Sequence, residues 1–162
     1  MATNKAMAFE LVSSVVKNNE FMSSAQVHPK CGGENISPDL LWKNIPVDAK
    51  SLALVVHDPD APRPGGFYHW IVVDIPAATT GLEMGMRVKS PAIEVATDFG
   101  TPGYNGPCPP VGHSAHRYHF TIHALDVKKI NLSPGLSPAA VESVIKSHTI
   151  ESATITGLYE RK

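Results

Sequence analysis

Two short apolar runs, residues 51–57 (SLALVVH) and 69–75 (HWIVVDI), narrow the fold more than any other feature of the chain. Both are rich in Val, Ile and Leu and too short for an ordinary helix, and Pro- and Gly-dense chain lies between and after them, so both predict buried strands. Residues 118–126 (YHFTIHALD) instead alternate. Tyr118, Phe120, Ile122 and Ala124 share one face and His119, Thr121 and His123 the other, which predicts a strand with one wet face. A single amphipathic helix is expected from Ser137: this residue is a good N-cap, Pro138 suits the first helical position, and Val141, Val144, Ile145 and His148 follow at helical spacing. The tail over 149–159 alternates weakly and is expected to return as a last strand. These elements predict a mainly β fold, an antiparallel β-sandwich with one or two short helices, in a single domain over residues 1–162.

Composition supports a packed globule. Apolar residues make up 43% and charged residues 18% of the 162, against which a disordered tail or a coiled coil would carry far more charge. Fourteen Lys and Arg against fifteen Asp and Glu give a net charge of -1 without a basic cluster, which argues against nucleic-acid binding. An anion therefore has to be held by a local pocket rather than by the field of the whole molecule. No run reaches the roughly 20 apolar residues of a membrane span, and the start has no signal-peptide pattern. A soluble, cytoplasmic protein is expected, with a periplasmic or secreted one as the alternative if a signal peptide has been removed. Cys31 and Cys108 form no CxxC motif and stay open between two thiols and one disulfide, the cytoplasmic reading favouring thiols.

Three clusters carry chemistry. The first is Asp58-Pro59-Asp60-Ala61-Pro62 at a strand end, where Asp58 is a functional candidate and Asp60 a turn cap. The second is Tyr68-His69-Trp70; a lone His there suits a core position, and only its company makes it a candidate. The third is His113, His116, Arg117, Tyr118 and His119 after the irregular Gly/Pro segment 98–112, with His113 and His119 read as surface residues. GHSAH at 112–116 departs from a nucleophile elbow, since its last Gly is replaced by His116 and a strand follows. No zinc-binding spacing, GxGxxG or P-loop is present, so no cofactor is expected. Imidazoles, a Gly/Pro turn with free N–H groups and a Tyr hydroxyl suit a small phosphate-shaped pocket, one that binds more strongly at mildly acid pH if phosphate favours charged imidazoles.

The motifs DPDAP (58–62), HWIVVDIP (69–76), TDFG (97–100), GPCPPVG (106–112) and HRYHFTIHAL (116–125), with ISPDLLW at 36–42, resemble the phosphatidylethanolamine-binding, or Raf kinase inhibitor protein-like, family in its bacterial and archaeal branch. The resemblance implies a β-sandwich with a solvent-open anion pocket formed by Asp58, Pro59, His69, Pro109, Pro110, His116 and Tyr118. It also implies binding of phosphoethanolamine-type headgroups or phosphorylated side chains. Asp58 would orient an imidazole or receive an ammonium group, and a Cys31–Cys108 disulfide would stiffen the pocket rim. Two departures from the eukaryotic members, a short segment 63–68 and a C-terminal strand with no second helix, put their signalling roles in doubt. The expected function is thus non-enzymatic binding of a phosphate-containing ligand, with a kinase or other regulated partner and a homodimer as implied associations. A protein-interaction module or peptidase inhibitor is the alternative, and a metal-assisted hydrolase the weaker one.

Overall fold

The computed structural model describes residues 7–162. In chain order the strands are β1 (Glu10–Val12), β2 (Glu20–Phe21), β3 (Leu40–Lys43), β4 (Ser51–Asp58), β5 (Phe67–Pro76), β6 (Gly81–Leu82), β7 (Ile93–Glu94), β8 (His116–Leu125) and β9 (Thr149–Tyr159), with one α-helix, α1 (Pro138–His148), before the last. Two sheets form, a small one in the order β1-β3-β6 and a large one in the order β2-β9-β8-β4-β5-β7. All pairings are antiparallel except that of β2 with β9. The expected mainly β sandwich with one short helix is the observed architecture.

The reason β4 and β5 read as unbroken apolar runs is that the large sheet is covered on both faces. Side chains alternate along a strand. Leu52, Leu54 and Val56 of β4 join Trp70 and Val72 of β5 and Phe120 and Ile122 of β8 in a core shared with Leu11, Leu40 and Trp42 of the small sheet. Ala53, Val55, Ile71 and Val73 point the other way and pack with Val141 and Ile145 of α1. The helix starts where the sequence places it: the Ser137 hydroxyl accepts the Ala140 N–H at 3.2 Å and Pro138 opens the first turn. Tyr68 donates its hydroxyl to Glu142 at 2.8 Å, fastening α1 to β5.

The second face of β8 is drier than its alternation suggests. His119 and Thr121 are half-buried, and His123 is buried, its Nδ1 3.1 Å from the Thr149 hydroxyl at the end of α1. Burial pushes the His123 ring down to about 4. The helix that returns over this face is the cause, and strand periodicity carries no information about it. His148, last in α1, meets Asp126 at 2.9 Å, and Tyr159 packs half-buried against the first core.

Candidate functional site

Antiparallel pairing brings the three chemical clusters to one end of the large sheet. The end of β4 lies beside the start of β5 and, on its other side, the start of β8: Asp58 is aligned with Phe67, and His57 with Tyr68 and His119. Asp58, His69, His116 and Tyr118 are all buried there. With Pro109 and Pro110 from the irregular segment they line a cavity of about 290 Å³. Six of the seven residues expected at the site thus meet. Pro59 does not: it is exposed in the β4–β5 turn and forms no part of the wall. The remaining wall comes from Ala61, Pro62, Arg63, Phe67, Phe99 and Cys108. Phe67 was legible two residues before His69 on the same strand face, and Phe99 lies inside the TDFG motif.

Asp58 works on two neighbours. Its Oδ1 accepts the Asp60 N–H at 2.8 Å, closing the turn, and its Oδ2 accepts His116 Nδ1–H at 2.7 Å. The expected imidazole-orienting role is the observed geometry. Because a carboxylate only accepts, Nδ1 of His116 carries the proton, and in the neutral ring Nε2 accepts from His113 Nδ1 at 3.2 Å. His113, expected to stand apart on the surface, is exposed but is the third member of this chain. Asp60 is not the turn cap. It takes Arg117 through its backbone N–H at 2.8 Å, Nε at 3.0 Å and Nη2 at 2.9 Å, and the guanidinium holds its carboxyl down at about 2. Gly66 closes the same turn at φ 72°, and a Cβ there would stand 2.2 Å from the Asp58 carbonyl oxygen.

His69 is set by the irregular segment. Its Nδ1 donates to the Asn105 carbonyl at 2.8 Å while its own carbonyl accepts the Asn105 N–H at 3.2 Å. Phe99 stands edge-on to it at 5.4 Å and Tyr118 at 5.2 Å. Burial pushes the ring down to about 4, against the opposing pull of the Asn105 carbonyl and Asp58. The segment itself is braced from the other side. Gly106 donates to Asn35 Oδ1 at 2.8 Å and lies so close to the Gln26 carbonyl that no Cβ fits, and Tyr104 donates its hydroxyl to the same carbonyl. Cys108 is bridged to Cys31 with the two Cα atoms 5.5 Å apart, which corrects the expectation of free thiols. Spacing alone could not reveal this, because the pairing depends on the fold across 77 positions.

The donor supply differs from the expected cradle of free N–H groups. Pro107, Pro109 and Pro110 have none. The Asn105, Gly106, Gly112 and His113 N–H groups go to His69, Asn35, Arg161 and Pro110 respectively, so between residues 105 and 113 only Cys108 and Val111 keep uncommitted N–H groups. At the mouth Arg63 lies 5.3 Å from the Phe67 ring centroid and 3.6 Å from Asp98. The Tyr118 hydroxyl is kept protonated by burial and by nearby Asp58. Among the described residues no group of three or more His, Cys, Asp or Glu is placed to hold a metal ion.

A sequence model described as phosphatidylethanolamine-binding protein matches residues 12–160. The UPF0098 protein PH1269 of Pyrococcus horikoshii is 44% identical over 156 residues, covering 93% of this chain and 76% of that protein. The crystal structure of Escherichia coli YbcL, described as a new member of the mammalian PEBP family, superposes with a TM-score of 0.91 at 36% identity, covering 96% of this chain and all of that one. A putative family homologue from Chlamydia trachomatis, CT736, gives 0.82 at 31% identity, over 96% of this chain and 99% of that one. The match spans both sheets and every segment that builds the cavity, and on that ground the chain belongs to the phosphatidylethanolamine-binding protein family.

Proposed function

We propose that the cavity binds the phosphoryl group of a small ligand, such as a phosphoethanolamine headgroup or a phosphorylated side chain, without turning it over. The observation that carries this reading is the convergence of His69, Tyr118 and the Asp58–His116 pair on one cavity of about 290 Å³ with an arginine at its mouth. The volume admits a phosphoryl headgroup with the carbon atoms attached to it. Tyr118 and the Cys108 N–H offer neutral donors, Arg63 offers charge at the rim, and Phe67 and Phe99 give apolar contact to the ligand's carbon atoms. The wall's one cysteine is bridged and offers no thiol nucleophile. The bridge also supports an oxidising compartment over the cytoplasm expected from sequence. No helix among the described residues is long and apolar enough to cross a membrane.

The test is an NMR titration of inorganic phosphate, phosphoethanolamine and phosphotyrosine into the full chain and into His69→Ala at pH 6. Saturable shifts at Asp58, His69, Cys108 and Tyr118 in the wild type, lost in the variant, are expected. The order of the three ligands separates a headgroup from a phosphoprotein. Shifts absent with all three would refute the reading, and a protein contact that survives His69→Ala would move the function to an interaction surface.

A further inference from the structure

A ligand entering the cavity meets an acceptor as well as the donors at Tyr118, Cys108 and Arg63. Both oxygens of Asp58 are engaged by donors, and both nitrogens of His116 are spent, one on Asp58 and one on His113. His69 is the remaining imidazole. Its Nδ1 donates to a carbonyl, no hydrogen bond among the described residues engages Nε2, and the ring lines the cavity. A neutral ring donating at Nδ1 has only a lone pair at Nε2.

The surroundings keep the ring neutral. From β4, Asp58 favours the charged form and His57 opposes it; from the irregular segment, the Asn105 and Gly106 carbonyls favour it. From β8 come Tyr118, a neutral phenol, and His116, whose Nδ1–H faces Asp58. Phe67 and Phe99 add none, and the charge of Arg63 at the mouth is partly met by Asp98. Burial outweighs these pulls.

Resting on the reading that the cavity takes a phosphoryl group, we propose that it selects that group in its singly protonated, monoanionic form, with the phosphoryl O–H donating to His69 Nε2. A dianion would set a bare oxygen against the Nε2 lone pair and near a buried carboxylate. The proton converts one of those repulsive contacts into a hydrogen bond. This replaces the sequence-based expectation that charged imidazoles hold the anion, and it names a rejected class: tetrahedral oxyanions with no proton at neutral pH, sulfate first among them.

Calorimetric titration of the full chain from pH 5.5 to 8.5 tests this with four probes: inorganic phosphate, methylphosphonate, whose second pKa is higher, monofluorophosphate, whose second pKa is lower, and sulfate. The affinity of each phosphoryl probe is expected to fall about tenfold per pH unit above that probe's own second pKa, near 6 for a phosphomonoester. Sulfate is expected to bind ~100-fold more weakly than phosphate at pH 6. In the phosphate complex the 15N shift of His69 Nε2 should stay that of an unprotonated ring nitrogen. His69→Gln, which supplies an amide donor, should narrow the gap between phosphate and sulfate. Equal binding of sulfate and phosphate, a pH midpoint that stays fixed across the probes, or a protonated Nε2 would each overturn the proposal while leaving the phosphoryl pocket standing. No binding of any phosphoryl probe at pH 5.5 would remove both.

Discussion

Asp58 is the residue on which the site's geometry turns, because one buried carboxylate serves both the β4–β5 turn and the His116 imidazole. Removing it leaves the buried His116 N–H and the half-buried Asp60 N–H without acceptors, a loss of about 1–3 kcal/mol for a fully buried group. Asp58→Ala is therefore expected to lower stability by roughly 3 kcal/mol in urea unfolding and to weaken phosphate binding through a freed His116 ring. Asp58→Asn should keep the turn bond, since its amide oxygen still accepts, and fall between the two; equal unfolding midpoints for wild type and Asp58→Ala would contradict the role. The neighbouring Asp60 shows why residue identity alone does not assign a role. In the sequence, Asp58 at the strand end is the functional candidate and Asp60 the turn cap, yet Asp58 also closes the turn. The return of β8 beside β4, which brings Arg117 to Asp60 and His116 to Asp58, gives each its partner.

Secondary structure was legible where local pattern coincides with burial. Leu52 to Val56 and Trp70 to Val73 are apolar at every position because a second sheet covers one face and α1 the other, so the runs announced themselves. Alternation places His123 on the wet face because the strand pattern does not register the helix that covers it. The site was half legible for the same reason: His69, His116 and Tyr118 stand in strands, whereas Phe99 and the bridged Cys108 stand in a segment whose path is dictated by Asn35, Gln26 and Cys31 far upstream. That segment carries its own prediction. Cys31→Ser/Cys108→Ser opens a 77-residue loop and should cost ~2–4 kcal/mol of stability, read from urea unfolding of oxidised protein. Because Asn105 and Gly106 remain held by His69 and Asn35, phosphate affinity in the double variant should fall less than in His69→Ala. An affinity loss as large as that of His69→Ala would show that the bridge, not the hydrogen bonds, sets the wall.

Two imidazoles at separate places, His69 at the cavity and His123 beneath α1, are pushed down to about 4 by burial. In the unfolded chain such rings titrate near 6.5, so between those values the unfolded state binds more protons. Their contribution to stability is therefore complete above pH 6.5 and lost as pH falls toward 4. Urea midpoints should drop across that window, and less steeply in His123→Gln; a flat profile would contradict neutral burial of both rings. The same neutrality marks the cavity, which lies at one end of a two-sheet sandwich of net charge -1, so the proposed selectivity has to come from a few placed groups instead of a positive field. The most direct measurement of that claim is a crystal structure grown with phosphoethanolamine at pH 6, with phosphorus located by anomalous scattering. We expect one peak in the cavity, with a phosphoryl oxygen at hydrogen-bond distance from His69 Nε2 and another from the Tyr118 hydroxyl. A cavity holding only water beside a ligand bound elsewhere would contradict it.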